Sequence, residues 1–178
     1  RERHVMSLKT RFSNLANILD TTGQNSSVLV IDSPVLSCAD WARLKAGFGR
    51  TVADIDCTFA HGSGATALRE AIARIRSDAE AGVRAGRSEL FLTDETINQT
   101  RIGVPMVLAA AAVHTHLVRK GLRSYASINV RSAECLDTHG YAVLVGVGAT
   151  TVNAWLAEAA ILDRQARGLS GGLTAQQR

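Results

Sequence analysis

A chain of 178 residues, 46% hydrophobic and 20% charged, has the composition of one globular domain with a sizeable core. No apolar run approaches the roughly 20 residues that span a bilayer, and the opening RERHVMSLKTRF lacks the apolar centre of a signal peptide, so a cytoplasmic chain without a membrane partner is expected. The net charge of +4 does not mark a nucleic-acid binder: basic residues lie beside acids at helical spacing, as in Glu70 with Arg74 and Glu80 with Arg84, and only 4% of residues are aromatic and able to stack on bases.

In chain order, Leu8 to Leu19 predicts a short helix and the polar run DTTGQNSS a loop, which makes residues 1–27 a linker segment. Residues 27–31, SVLVI, are a compact apolar run bounded by Asp32, Ser33 and Pro34, as in a buried strand, and Ser37 is placed to cap a short helix behind it. Residues 51–60, TVADIDCTFA, alternate: Ala53, Ile55, Cys57 and Phe59 share one face, Asp54, Asp56 and Thr58 the other, which predicts a strand. From Thr66 to Val83 the apolar positions Leu68, Ala71, Ile72, Ile75, Ala79 and Val83 recur at three- and four-residue spacing, a helix closed by Gly86. SELFLT (88–93) is the next strand, DETINQTRIG (94–103) a loop, and Val104 to Lys120 a helix with Pro105 in its first turn and Gly121 after it. SYASINV (124–130) is a strand, Ser132 to Val145 a helix, ATTVN (149–153) a short strand, and Ala154 to Arg167 the last helix before a flexible tail at 169–178.

Strand and helix thus alternate about five times over residues 28–168, which predicts a single α/β domain with a parallel sheet and right-handed crossovers. Five units fall short of the eight in a complete barrel, so the sheet is expected to be open or to form a partial, TIM-barrel-like array.

The chemistry-bearing residues are sparse. Cys38, Cys57 and Cys135 are odd in number, far apart and without a C-x-x-C pair, which predicts reduced thiols and no metal site. Cys57 with His61 has the composition of a thiol and its base, but Cys57 lies on the apolar face of its predicted strand, where an inert thiol is expected. His114 and His116 interrupt an alanine-rich run; on a helix their i,i+2 spacing separates the rings by about 200°, whereas two ligands on one helical face need i,i+4. The pair therefore predicts packing, with His114 on the stripe of Val107, Ala110 and Leu117 and His116 toward solvent. GVGATT (146–151) precedes a strand instead of following one, so it reads as a tight turn and not as a dinucleotide loop. In parallel α/β sheets ligands bind at the carboxyl ends of the strands, which nominates Asp32, Asp94, Arg131 and Asn153 as contact candidates.

Five blocks in order, VMSLKTRFSNLANIL (5–19), DSPVLS (32–37), DIDCTF (54–59), HTHLVRKGLR (114–123) and GVGATTVNAWLA (146–157), resemble the central domain of the glutamate synthase large subunit. The likeness covers nearly the whole chain. In that family a glutaminase domain with an N-terminal cysteine releases ammonia, which travels an internal tunnel and is added to 2-oxoglutarate and reduced at FMN; electrons arrive through iron–sulfur clusters and, in bacterial forms, from NADPH through a small subunit. The resemblance implies a connector similar in fold to a reduced β/α barrel, whose partners are the glutaminase and FMN domains of the same polypeptide and the small NADPH-oxidising subunit. It implies no catalytic, cofactor-binding or metal residue in this segment. This chain departs from the family's usual pairs at Asp94-Glu95, Thr138-His139 and Asn153-Ala154, so no residue role is carried over. The alternative is a free-standing partial-barrel enzyme or small-molecule binder that uses its strand ends, with Arg131 and the loop around Gly148 taking a phosphate or carboxylate.

Overall fold

A computed structural model describes residues 7–12, 29–62 and 64–169. Four parallel strands make the central sheet: β3 (Val52–Asp56), β5 (Glu89–Thr93), β7 (Ser127–Arg131) and β8 (Thr151–Asn153), side by side in chain order. Between them run α2 (Gly64–Arg84), α3 (Met106–Arg119) and α4 (Thr138–Gly146), and α5 (Trp155–Ala166) comes after the last strand. Strand order that copies chain order is the winding of a β/α barrel, here open at four strands, so the fold is α/β and partial-barrel-like.

The two faces of the sheet differ. Ile55, Leu90, Leu92, Ile128, Val130 and Val152 point outward onto Ala71, Ile75, Ala79 and Val83 of α2 and onto Ala109, Ala110, Val113 and Leu117 of α3, all of them buried. The inner face carries polar groups, with Glu89 opposite Ser127 and Asn129 opposite Thr151. Glu89, Asn129 and Thr151 are each fully buried, and they are linked: Asn129 Nδ2 donates to Glu89 Oε2 at 2.9 Å and Thr151 Oγ1 donates to Asn129 Oδ1 at 2.7 Å. These two hydrogen bonds offset part of the cost of withdrawing the three side chains from water.

Helix α1 (Cys38–Phe48) covers that inner face. Ser37 caps it as the sequence predicts, its hydroxyl accepting from Asp40 N. Just before it, Val35 bridges to Val152 in parallel, so the first part of the domain lies against the last strand. From that edge α1 runs back toward β3: Trp41 meets Phe91 edge-on at 4.7 Å, and Phe48 and Val52 both pack against the cluster of Leu36, Trp41 and Phe91.

Several expectations are corrected. The buried parallel strand expected at 27–31 is not formed where the segment is described: β2 (Val30–Ile31) pairs antiparallel with β1 (Thr10–Arg11), and Val30 is 48% exposed, while 27–28 lie outside the described residues. The helix expected from Leu8 is extended where it is described, at Thr10–Arg11, with Phe12 buried against Phe48; the remainder, 13–19, lies outside the described residues. The strand over 51–60 breaks at Cys57, where Asp56 Oδ1 accepts from Thr58 N at 3.0 Å and turns the chain out of the sheet. The next strand, β4 (Thr58–Ala60), pairs antiparallel with β6 (Arg101–Gly103), inside the segment expected to be loop. Residues 132–137 also precede α4 as an irregular connection instead of beginning a helix.

Candidate functional site

The carboxyl ends of the parallel strands bring together one row of side chains, Asp56, Thr93, Arg131 and Asn153, in direct register across the sheet. Three of the four nominated residues belong to this end. Asp32 does not: it is exposed and comes just after the antiparallel pair.

Each member is held by protein groups. Asp94, 3% exposed, accepts from Ala133 N with both carboxylate oxygens, at 3.1 and 2.8 Å, and from Trp155 Nε1 at 2.8 Å. Burial raises its pKa above the ordinary carboxylate value, and the Trp155 and Ala133 donors oppose that rise. Asn153, fully buried, donates through Nδ2 to Leu36 O at 2.9 Å and thereby fastens the start of α1 to β8. Arg131 meets Glu95 at 3.0 Å, while its buried Nε has no hydrogen-bond partner among the described residues. Asp56 sits under a cap of three side chains, with Arg101 at 2.6 Å and hydroxyl donors from Thr58 and Thr96; burial raises its pKa, but the hydroxyls, the Thr58 amide and Arg101 together hold it below the usual value.

Several of these partners escape a sequence reading. Arg101 lies on β6, Thr96 in the connection before it, and Trp155 and Glu158 on α5, and the groups they hold, Asp56, Asp94 and the Cys38 amide, are 40 or more residues away in sequence. Glu158 Oε2 accepts from Cys38 N at 2.7 Å, so a carboxylate on α5 already occupies the amino end of α1. Cys38 Sγ lies 3.8 Å from Asn153 Oδ1, and burial first, then Glu158, raises the thiol pKa.

The residues do not fit the redox groups implied by resemblance. Burial pushes the Cys57 thiol up to about 12 and the Cys135 thiol up to about 11, as for inert thiols packed in the core. Among the described residues no group of three or more His, Cys, Asp or Glu side chains is placed to hold a metal ion. The Gly148 turn does not fit a flavin phosphate, because the space a Cβ would enter is filled by the His114 ring at 2.5 Å. Nor can that turn and Arg131 share one ligand. Gly148 precedes β8 and Arg131 ends β7, so in a parallel sheet they lie at opposite ends.

The histidine pair stands on α3, and its rings diverge. His114 Nδ1 accepts from Arg123 Nε at 3.1 Å; His116 Nε2 meets Glu80 Oε2 of α2 at 2.6 Å. Both rings are half-buried, so the solvent-facing role expected of His116 gives way to a helix–helix contact. Each ring is committed to a different neighbour, and helical spacing keeps the two from sharing a ligand.

The family model described as the glutamate synthase central domain matches residues 1–177. The chain belongs to that family. Its relatives include the NADPH glutamate synthase large chain of Azospirillum brasilense, 51% identical over 173 residues, which cover 97% of this chain and 11% of the relative. The ferredoxin-dependent chloroplastic glutamate synthase of Spinacia oleracea is 35% identical over 160 residues, 88% of this chain and 10% of its own. The NADPH glutamate synthase large chain of Bacillus subtilis is 32% identical over 161 residues, again with 10% of its length covered. This glutamate synthase central domain therefore spans about a tenth of the length of the curated relatives it matches. No helix among its described residues is long and apolar enough to cross a membrane.

Proposed function

We propose that the chain is the connecting domain of a cytoplasmic glutamate synthase: it orients the glutaminase and FMN domains of the same polypeptide and contributes to the wall of the path that ammonia takes between them. One observation carries this reading. Three of the strand-end groups that could do chemistry are committed to other parts of the chain, Asp94 to Ala133 and Trp155, Asn153 to Leu36, Asp56 to Arg101, and such ties support a rigid connecting element. Residues 28–168 are taken as the domain, with 1–27 leading in and 169–178 leading out. FMN, iron–sulfur clusters and NADPH-derived electrons from a small subunit belong, on this proposal, to the rest of the enzyme.

The test is the ratio of glutamine hydrolysed to glutamate formed by the full-length enzyme. Trp155→Ala removes the donor that ties α5 to Asp94, and it is expected to raise the ratio as ammonia escapes. A ratio that stays at the wild-type value while the variant's melting temperature falls would overturn the coupling role. The genomic sequence on either side supplies a second check, since flanking glutaminase and flavin regions are required.

A further inference from the structure

The last helix is out of keeping with the rest of the fold. α5 carries Leu156, Ile161 and Leu162, yet no residue in it is buried, and those three are 41%, 36% and 50% exposed. A helix of 12 residues is at the length where isolated helices are marginal in water and depend on packing of an apolar face. Beside it lies a groove of about 420 Å³ between α4 and α5, walled by Tyr141, Ala157, Ile161 and Leu162, with Leu136 at 69% exposure on its rim. Asp137 and Glu158 also line it, and no basic side chain does.

We propose that this groove is the docking seat of a neighbouring domain of the same polypeptide, which presents apolar side chains to Leu136, Ile161 and Leu162 and a basic or N–H donor group to Asp137. The proposal rests on the connecting-domain reading and names the surface through which the connection is made. Two observations favour this occupant. The chain covers only 11% and 10% of its Azospirillum and Bacillus relatives, so a neighbour in a polypeptide of that plan is tethered and present at high effective concentration, which lets a small, partly polar groove suffice. A second copy fits poorly, because a two-fold contact pairs the same patch with itself and would enclose two Asp137 and two Glu158 carboxylates with no basic side chain from either groove to offset them.

Hydrogen exchange of the α5 amides, compared between the 178-residue chain and the full-length gene product, tests this directly. Covering the helix is expected to slow those amides by about 100-fold in the full-length protein. Ile161→Asp with Leu162→Asp should restore fast exchange there while leaving the melting temperature of the short chain unchanged. Equal rates in both proteins would overturn the proposal, and slowing that rises with the concentration of the short chain would overturn it in favour of self-association. Failure here is separable from failure of the coupling role. Equal α5 rates with a raised glutamine-to-glutamate ratio in Trp155→Ala condemn only the groove, whereas slowed α5 with an unchanged ratio condemns only the coupling.

Discussion

Gly148 and His114 show how a single contact sets a residue's identity. Gly148 has φ of +118°, and any Cβ there would meet three atoms of the His114 side chain at 2.5 to 2.8 Å. Gly148→Ala is expected to cost about 1–3 kcal/mol in urea denaturation, and because strain and clash are separate, His114→Ala should recover only part of that loss in a double-mutant cycle. The same ring gives stability a pH dependence. His114 accepts a hydrogen bond from Arg123 at Nδ1, and burial first and the Arg123 charge second hold its pKa below the ordinary 6.5. The unfolded chain therefore takes up its proton first. This contact's stability is present in full above pH 6.5 and is lost as pH falls through the lower folded value. Wild type should lose more stability than His114→Gln between about pH 7.5 and 5.5, and parallel curves would exclude the histidine as the cause. That His114 lies on a helix is legible from the alanine run, Pro105 and Gly121. Its partners are not, since Arg123 and Gly148 reach it from other elements.

Among elements, α2 and α5 are opposites that a periodicity argument treats alike. Both have apolar residues at helical spacing. In α2 the stripe of Ala71, Ile75, Ala79 and Val83 is buried on the sheet, while in α5 Ile161 and Leu162 stay exposed. Ile75→Ala should cost about 2–4 kcal/mol, whereas Ile161→Ala in the same chain should stay within about 0.5 kcal/mol, both from denaturant midpoints. Similar losses at the two sites would show that α5 is packed after all. The strands divide in the same way. β5 and β7 were legible because a compact apolar run with turn signals at each end needs no partner to be recognised. β4 and β6 were not, because three-residue strands are defined by each other across more than 40 residues, and the ladder between Thr58 and Gly103 has no local signature.

At the scale of the whole molecule, the isolated 178-residue chain is expected neither to bind FMN nor to oxidise NADPH. A stoichiometric flavin spectrum in the purified chain would sink the connecting-domain reading and favour a ligand site at the strand ends. Fold class and family follow from the order of residues: alternation of strand and helix periods dictates a parallel α/β sheet, and five blocks in order mark the family. Which neighbours the strand-end groups meet follows only from the tertiary structure. Asp94, Arg131 and Asn153 looked available because sequence shows a polar residue but not its neighbours. Folding brings Trp155 to Asp94, Leu36 to Asn153 and Glu95 to one end of the Arg131 guanidinium, because polar groups withdrawn from water are costly without partners, and none of these neighbours is adjacent in sequence to the group it meets.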